Sequence, residues 1–451
     1  MNRSEERLGR EPLLKLAFSL GIPAVLAQIV NLLYSIVDRV YIGHIPEVGA
    51  LALTGMGLCT PILLIVSAFS AFVGMGGAPL AAMELGRGDR EKASRILNNG
   101  LIVLLVFSVM LPAALMVSRE PLLRFFGASD DTIGYADSYL SIYLCGTVFV
   151  QLSMGLNSFI SCQGQAKRAM LSTCIGAVCN IILDPIFIFA FDMGVRGAAV
   201  ATVISQAVSA VWILSFLLSE KSAIRISRRP MKPSRAIILK IAALGISPFI
   251  MQSTESLISI VFQHGLQKYG GDLYVGSYTI LSSVMQLMVF PANGFAYGTQ
   301  PIISYNYGAG NYGRVKKNFW IVSAICFAWT AIFYVVALLN PGMLAGAFTS
   351  NAELAALSAS KLPIFLGGMV IFAFQMAAQV SLLGTGQAKA SLFLACLRKI
   401  ILLTPLAIIL PLFMGVDGIY LSEPISDILS AITSLGIFMY VSCKVLREHQ
   451  G

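Results

Sequence analysis

The sequence repeats itself after about 222 residues, and the repeated blocks keep their order along the chain. Leu20-Gly21-Ile22 recurs as Leu244-Gly245-Ile246, and Gly76 recurs as Gly298. Later blocks recur in the same way: Gly86-x-Gly88 as Gly308-x-Gly310, the segment 164–167 as 386–389, and Met193-Gly194-Val195 as Met414-Gly415-Val416. Because several separate blocks share nearly one spacing, the chain is a duplication of one structural unit. Any fold for this sequence must therefore contain two related halves.

The composition predicts a membrane protein. Hydrophobic residues make up 57% of the chain and charged residues 12%, whereas soluble chains carry roughly 25% charged residues. The mean hydropathy is +0.80, which excludes a soluble fold. Twelve apolar runs are long enough to cross a bilayer, which takes ~20 residues; they are centred near residues 25, 65, 105, 145, 180 and 207, and near 252, 288, 327, 370, 402 and 430.

These runs predict an all-α integral membrane protein with twelve transmembrane helices, because a spanning helix satisfies its own backbone hydrogen bonds. The predicted domains are an N-terminal six-helix lobe over residues 1–219, a basic linker over 220–235, and a C-terminal six-helix lobe over 236–451. Since six is even, each lobe begins on the same side of the membrane. The lobes are thus parallel repeats, an arrangement that usually places a site between two halves that rock against each other.

The basic residues predict the orientation. Most of the 31 Lys and Arg fall on one side of the twelve-span arrangement, in the N-terminal tail, in short loops and in the 220–235 linker. By the positive-inside rule both termini and the linker are cytoplasmic. The net charge of +9 is then explained by topology, and we expect no nucleic-acid partner because the basic residues lie in short loops between spans.

Four polar residues of the first half are predicted to lie at one depth, in the outer half of the membrane. Asp38 is on the first span, Asn180 and Asp184 are one turn apart on the fifth, and Thr202 is on the sixth. A carboxylate within the hydrocarbon costs at least a few kcal/mol, so each is a functional candidate. Oxygen ligands suit a hard cation, and a carboxyl group shielded from water can instead hold a proton. The candidate ligand is therefore Na⁺ or H⁺. The alternative is structural: Asp38 ends its span near water, and Asn180 bonds a neighbouring helix.

The second half lacks this set, since Phe262 takes the repeat position of Asp38 and Asp184 corresponds to the region of Thr404. Its own candidate is Glu255, deep in the seventh span, which could attract a cationic substrate, carry a proton or simply pack by hydrogen bonding. Arg398 on the eleventh span is predicted to form a structural buried charge pair with Asp427 on the twelfth, with Glu423 one turn away on the same face. The three histidines are scattered, and no transition-metal site is predicted.

Several motifs together resemble the multidrug and toxic compound extrusion (MATE) family across nearly the whole chain. The resemblance is carried by Val37-Asp38-Arg39-x-Tyr41-Ile42-Gly43, Leu85-Gly86-x-Gly88-Asp89, Asn180-x-x-Leu183-Asp184-Pro185, Gly194-x-x-Gly197, Pro301-x-Ile303-Ser304-Tyr305-Asn306 and Glu423-Pro424-x-Ser426-Asp427. It implies twelve helices in two lobes around a central cavity. It also implies a secondary transporter that exports small, amphipathic, mostly cationic organic compounds by alternating access in exchange for Na⁺ or H⁺.

The resemblance assigns cation coupling to Asp38, Asn180, Asp184 and Thr202, and a substrate or proton role to Glu255. The tenth helix offers Gln375 and Gln379 where some members carry an acid. We expect a monomeric, multi-pass protein of the cell membrane with no cofactor besides the coupling ion. The alternative is a flippase for a lipid-linked precursor, which a strongly cationic cavity would favour. A membrane-embedded enzyme is not expected, because the sequence offers neither a paired-acid metal motif nor a nucleophile and base at the membrane surface.

Overall fold

The computed structural model describes residues 3–227, 232–349 and 351–445, and this part of the chain is helical with no β-strand. The first six spans follow the predicted order. We number them spans 1 to 6: Leu13–Gly43, Gly49–Gly86, Arg90–Phe125, the bent pair Ile133–Cys145 and Thr147–Ser161, Ala166–Pro185 continued by a π-helix over Ile186–Ala190, and Val195–Leu218. Five of the six are single helices with enough length and hydropathy to cross a membrane.

Spans 7 to 12 repeat this order in the second half of the chain. They are Arg235–Gly270, Asp272–Gly308, Tyr312–Leu339, the bent pair Ala352–Leu366 and Met369–Gly384, Ala388–Cys396 continued by a π-helix over Leu397–Leu403 and by Thr404–Ile409 and Pro411–Met414, and Val416–Val445. Spans 4 and 10 bend by 61° and 47° at their breaks. With each bent pair counted as one span the described residues contain twelve spans, which confirms the all-α, twelve-helix prediction.

The chain forms two compact units. The first contains Leu26–Phe249 together with the residues up to Leu8, and the second contains Gly9–Val25 together with the residues from Ile250 onward. The beginning of span 1 therefore belongs to the second unit, and the beginning of span 7 belongs to the first. At these two places the units differ from the predicted lobes over 1–219 and 236–451.

The glycines of the sequence repeat explain why span 1 begins in the second unit and span 7 begins in the first. In the first unit a Cβ built on Gly76 of span 2 would lie 2.8 Å from the Cα of Gly245 on span 7. In the second unit a Cβ on Gly298 of span 8 would lie 3.1 Å from the Cα of Gly21 on span 1. Only glycine allows two helix backbones to approach so closely in a membrane. The glycines that define the sequence repeat thus form one close helix crossing in each unit.

The connector after span 6 is hydrogen-bonded to the first unit. The Gln163 side-chain oxygen accepts from the backbone N–H of Ala223 at 2.7 Å and from the Ser222 hydroxyl at 3.0 Å. Asn98 of span 3 accepts from the N–H of Ser227 at 2.8 Å. Its neighbour Asn99 accepts from the N–H of Ser234 at 2.7 Å, beyond the gap at 228–231. The described part of the linker is therefore a strap on the first unit.

We predict that Gly76→Ala lowers the thermal unfolding midpoint of the purified protein in detergent. The added methyl would meet the backbone of span 7, where overpacking costs about 1–3 kcal/mol. Gly57→Ala, on the same helix, is the matched control because a Cβ there meets nothing within 4 Å. Since alanine favours helix over glycine, Gly57→Ala should leave the midpoint unchanged or slightly raised. Equal effects of the two substitutions would contradict the close crossing.

Candidate functional site

The structure brings together the four predicted polar residues of the first unit. Asp38 lies near the end of span 1, and Asn180 and Asp184 lie one turn apart on span 5. The Asn180 side-chain N–H₂ donates to Asp184 Oδ1 at 3.2 Å and to the hydroxyl of Thr202, on span 6, at 3.4 Å. The carboxyl groups of Asp38 and Asp184 lie within hydrogen-bonding reach of each other. Three spans thus contribute to one polar cluster.

This cluster is buried and has unpartnered acceptors. Asp38 is 3% exposed and Asp184 is fully buried. Asp38 Oδ1, Asn180 Oδ1 and Asp184 Oδ2 are all buried and have no hydrogen-bond partner among the described residues. Buried polar groups normally find partners, and two carboxylates side by side repel each other unless positive charge is added. The three oxygens can be satisfied together by a hard cation, or in part by a proton on one carboxyl group.

The backbone of span 5 changes character immediately after Asp184. Pro185 lacks the N–H that an α-helix would use, and the next five residues form the π-helix Ile186–Ala190. Gly194, with φ of +53°, directly precedes span 6, and a Cβ on Gly197 would lie 2.6 Å from the Phe187 carbonyl oxygen. The Gly194-x-x-Gly197 motif therefore seats span 6 against the π-helix, which brings Thr202 beside Asn180. π-Helical turns are frequent at functional sites.

Two tyrosines belong to this site that the sequence did not single out. Tyr139 on span 4 is buried and interacts with the Thr202 hydroxyl, and its ring stacks on Tyr143 at a centroid distance of 6.3 Å. Tyr34, one turn before Asp38 on span 1, lies within electrostatic range of Asp38 and Asp184. Because Tyr34 lies one helical turn before Asp38, the sequence spacing could have predicted that both residues face the same site. Nothing local in the sequence marks Tyr139.

In the second unit, the structure joins Arg398 to both predicted acids. Its Nε donates to Asp427 Oδ1 at 2.6 Å, and its Nη2 donates to Glu423 Oε1 at 2.7 Å. The guanidinium also lies over the Phe372 ring, 4.2 Å from the centroid. All three charged side chains are nearly buried, at 11%, 0% and 6% exposure for Arg398, Asp427 and Glu423. Arginine suits such a site because its planar fork can serve two carboxylates at once.

The remaining candidates of the second unit have different surroundings. Gln375 and Gln379 are buried on span 10, and the Gln379 N–H₂ donates to the Ser391 hydroxyl at 2.9 Å. Glu255 is held by Lys399, which lies on the π-helix of span 11. The sequence did not predict this pair. The available signal was the adjacency of Arg398 and Lys399, because neighbouring residues on a helix point in different directions and cannot both face span 12.

A model of the MatE family matches the chain twice, over residues 23–186 and 248–409. The chain therefore belongs to the MatE family, the MATE transporters. The resemblance read from the motifs is confirmed, and the double match covers the two halves of the sequence repeat.

Curated relatives and solved structures align over almost the full length. The chain is 24% identical to the multidrug export protein MepA of Staphylococcus saprophyticus over 92% of this chain and 91% of that one. It is 23% identical to MepA of Staphylococcus aureus over 94% and 93%. A crystal structure of a MATE protein in the bent conformation has a TM-score of 0.94, with 24% identity and complete coverage of both chains. That structural likeness confirms the twelve-helix, two-lobe fold.

We predict energetic coupling between Arg398 and Asp427. Arg398→Met alone leaves two buried carboxylates without their cation, which typically costs about 3–5 kcal/mol. The double variant with Asp427→Asn should recover part of the loss, as measured by a double-mutant cycle on unfolding midpoints. The control cycle is Lys361 with Asp417, a pair with more exposed side chains at 2.5 Å, where coupling of about 0.2–1 kcal/mol is expected. Additive effects at Arg398 and Asp427 would contradict a structural ion pair.

Proposed function

We propose that the chain is a secondary active multidrug exporter. It moves small, amphipathic, mostly cationic organic compounds out of the cell in exchange for Na⁺ or H⁺, and it acts in the cell membrane with both termini cytoplasmic. Family membership supports transport, and the names of the MepA relatives support multidrug export as the type of transport. We propose that it acts as a monomer.

The observation that carries the coupling part of the proposal is the set of unpartnered oxygens on Asp38, Asn180 and Asp184. An added positive charge at this cluster reduces the repulsion between two neighbouring carboxylates and satisfies acceptors that no other described residue serves. Na⁺ would take several oxygens, including the Thr202 hydroxyl, whereas H⁺ would sit on one carboxyl group and be shared with the other. Both ions fit this donor set, so the choice between them is left to the test.

Coupling requires that the cation and the organic compound favour different arrangements of the protein. A ligand shifts a conformational equilibrium only by its difference in affinity for the two states. The ion-binding residues lie on spans 1, 5 and 6, and the π-helix after Asp184 is the backbone element best placed to respond to occupancy. We propose that occupancy by the ion favours release of the organic compound, with coupling of about 1–3 kcal/mol, typical of linked binding sites.

We predict that Asp184→Asn abolishes ion-driven efflux. Ethidium transport would be measured in proteoliposomes with a Na⁺ gradient and a pH gradient imposed separately, and the loss should exceed about tenfold, or 1.4 kcal/mol of lost coupling. Asp192→Asn is the matched control, an exposed carboxylate just beyond the same helix with φ of +52°, which asparagine tolerates. The gradient that drives wild-type efflux identifies the ion.

Two results would count against this proposal. Unchanged, gradient-dependent efflux by Asp184→Asn would show that the cluster does not couple transport to an ion. Transport of a lipid-linked anionic precursor by the wild type, with no gradient-driven movement of ethidium, would favour a flippase.

A further inference from the structure

Lys399 binds Glu255 inside the second unit, and the two partners differ in exposure. The Lys399 ammonium donates to a Glu255 carboxylate oxygen and to the backbone carbonyl of Met251, at 2.9 Å for the carbonyl. The Lys399 side chain is only 8% exposed, whereas that of Glu255 is 55% exposed. The lysine therefore approaches the carboxylate from the protein interior, and a large part of the carboxylate remains open on the other side.

We expect the open side of Glu255 to border a water-accessible space. Glu255 lies near the middle of span 7, which runs from Arg235 to Gly270. A charged carboxylate at this depth in contact with lipid tails would cost at least a few kcal/mol. Charged side chains at membrane depth accordingly face the protein interior or a water-filled cavity. A soluble cation can reach a carboxylate in such a position.

The charges around Glu255 do not balance. Arg398 and Lys399 supply two positive charges, and Glu255, Glu423 and Asp427 supply three negative charges when all are ionised. These groups interact with one another, since Glu255 lies within electrostatic range of both Arg398 and Glu423. Asp427 Oδ2 is buried and has no hydrogen-bond partner within residues 3–227, 232–349 and 351–445. With all three acids ionised the cluster is short of one positive charge, which a monovalent cation or a proton on one of the acids would supply.

The π-helix of span 11 explains how the adjacent cations Arg398 and Lys399 contact different helices. Consecutive residues on a helix point in different directions, and here Arg398 reaches span 12 while Lys399 reaches span 7. The wider turn leaves the Lys399 carbonyl to accept from the Thr404 hydroxyl at 2.7 Å. Arg398 is held by two acids and a ring, whereas among the described residues Lys399 forms an ion pair only with Glu255, whose side chain is 55% exposed. Of these two cations, Lys399 is therefore the one that a competing cation can displace from its carboxylate.

We propose that Lys399 is a tethered cation that transported organic cations displace from Glu255, which makes Lys399 a specificity-determining residue. The inference rests on the proposed export of cationic compounds. A compound with a positive charge competes with the ammonium for Glu255, whereas a neutral compound gains nothing from this exchange. The observed affinity for a cation is then the intrinsic affinity multiplied by the fraction of protein in which Glu255 is free of Lys399. Lys399 thus sets how strongly cationic a compound must be to bind.

The test measures equilibrium binding of ethidium, a monovalent aromatic cation, to the full chain in lipid nanodiscs by fluorescence anisotropy. Lys399→Met should tighten binding at least about fivefold, the lower end of coupling between competing or linked ligands. Lys399→Arg keeps a positive charge and should stay within about twofold of the wild type. The double variant Lys399→Met with Glu255→Gln should lose the gain, because the freed carboxylate is gone.

Lys361→Met is the matched control, because it removes a lysine from another carboxylate pair, with Asp417, in the same unit. It should leave ethidium binding unchanged. Unfolding midpoints of all variants establish that they are folded. Unchanged or weaker ethidium binding by folded Lys399→Met, or equal tightening in the double variant, would overturn the inference.

The binding assay and the efflux assay separate the two proposals. Tighter binding by Lys399→Met without gradient-driven efflux by the wild type would support the role of Lys399 and overturn ion coupling. Gradient-driven efflux by the wild type with no change in ethidium binding by Lys399→Met would support the proposed function and overturn the role of Lys399.

Discussion

Each unit depends on a helix crossing at which two backbones touch. Gly76 meets Gly245 in the first unit, and Gly298 meets Gly21 in the second. Lipid tails are as apolar as the side chains, so the hydrophobic effect does not drive helices together inside the membrane. Close backbone packing therefore supplies much of the attraction between helices. These crossings bind the start of span 7 to the first unit and the start of span 1 to the second. Span 1 therefore begins in the second unit but carries Asp38 in the first. Span 7 begins in the first unit but carries Glu255 in the second.

The two units hold their charges in opposite ways. The first keeps the carboxyl groups of Asp38 and Asp184 close together, with Arg39 within electrostatic range of Asp38, and the cluster has buried acceptors that find no hydrogen-bond partner in the described part of the chain. The second pairs its acids with Arg398 and Lys399. The duplicated framework has thus been retained while the chemistry has diverged. A cluster with unpartnered acceptors responds strongly to an added ion, and a cluster whose acids are paired with Arg398 and Lys399 can respond by exchanging one cation for another.

Much of this architecture could be read from the sequence, because lipid imposes rules that act residue by residue. Span length and hydropathy predicted twelve helices, and the cost of intramembrane charge drew attention to Asp38, Asp184, Glu255 and Arg398. The repeat glycines were visible as a pattern, but their role as crossings required coordinates. The Lys399–Glu255 pair joins residues 144 positions apart, and no local rule specifies which side an adjacent cation faces. The bends in spans 4 and 10 and the π-helices likewise depend on tertiary packing.

The strap after span 6 bears on how such a chain could arise from two. Gln163 and Asn98 hold the strap up to Ser227, and Asn99 holds Ser234, all within one unit. A chain interrupted between these anchors would keep both new ends fastened to the same surface. Two separately made polypeptides could therefore associate with span 7 already in register. Joining their genes would then add a covalent link between two ends that already lie on one surface.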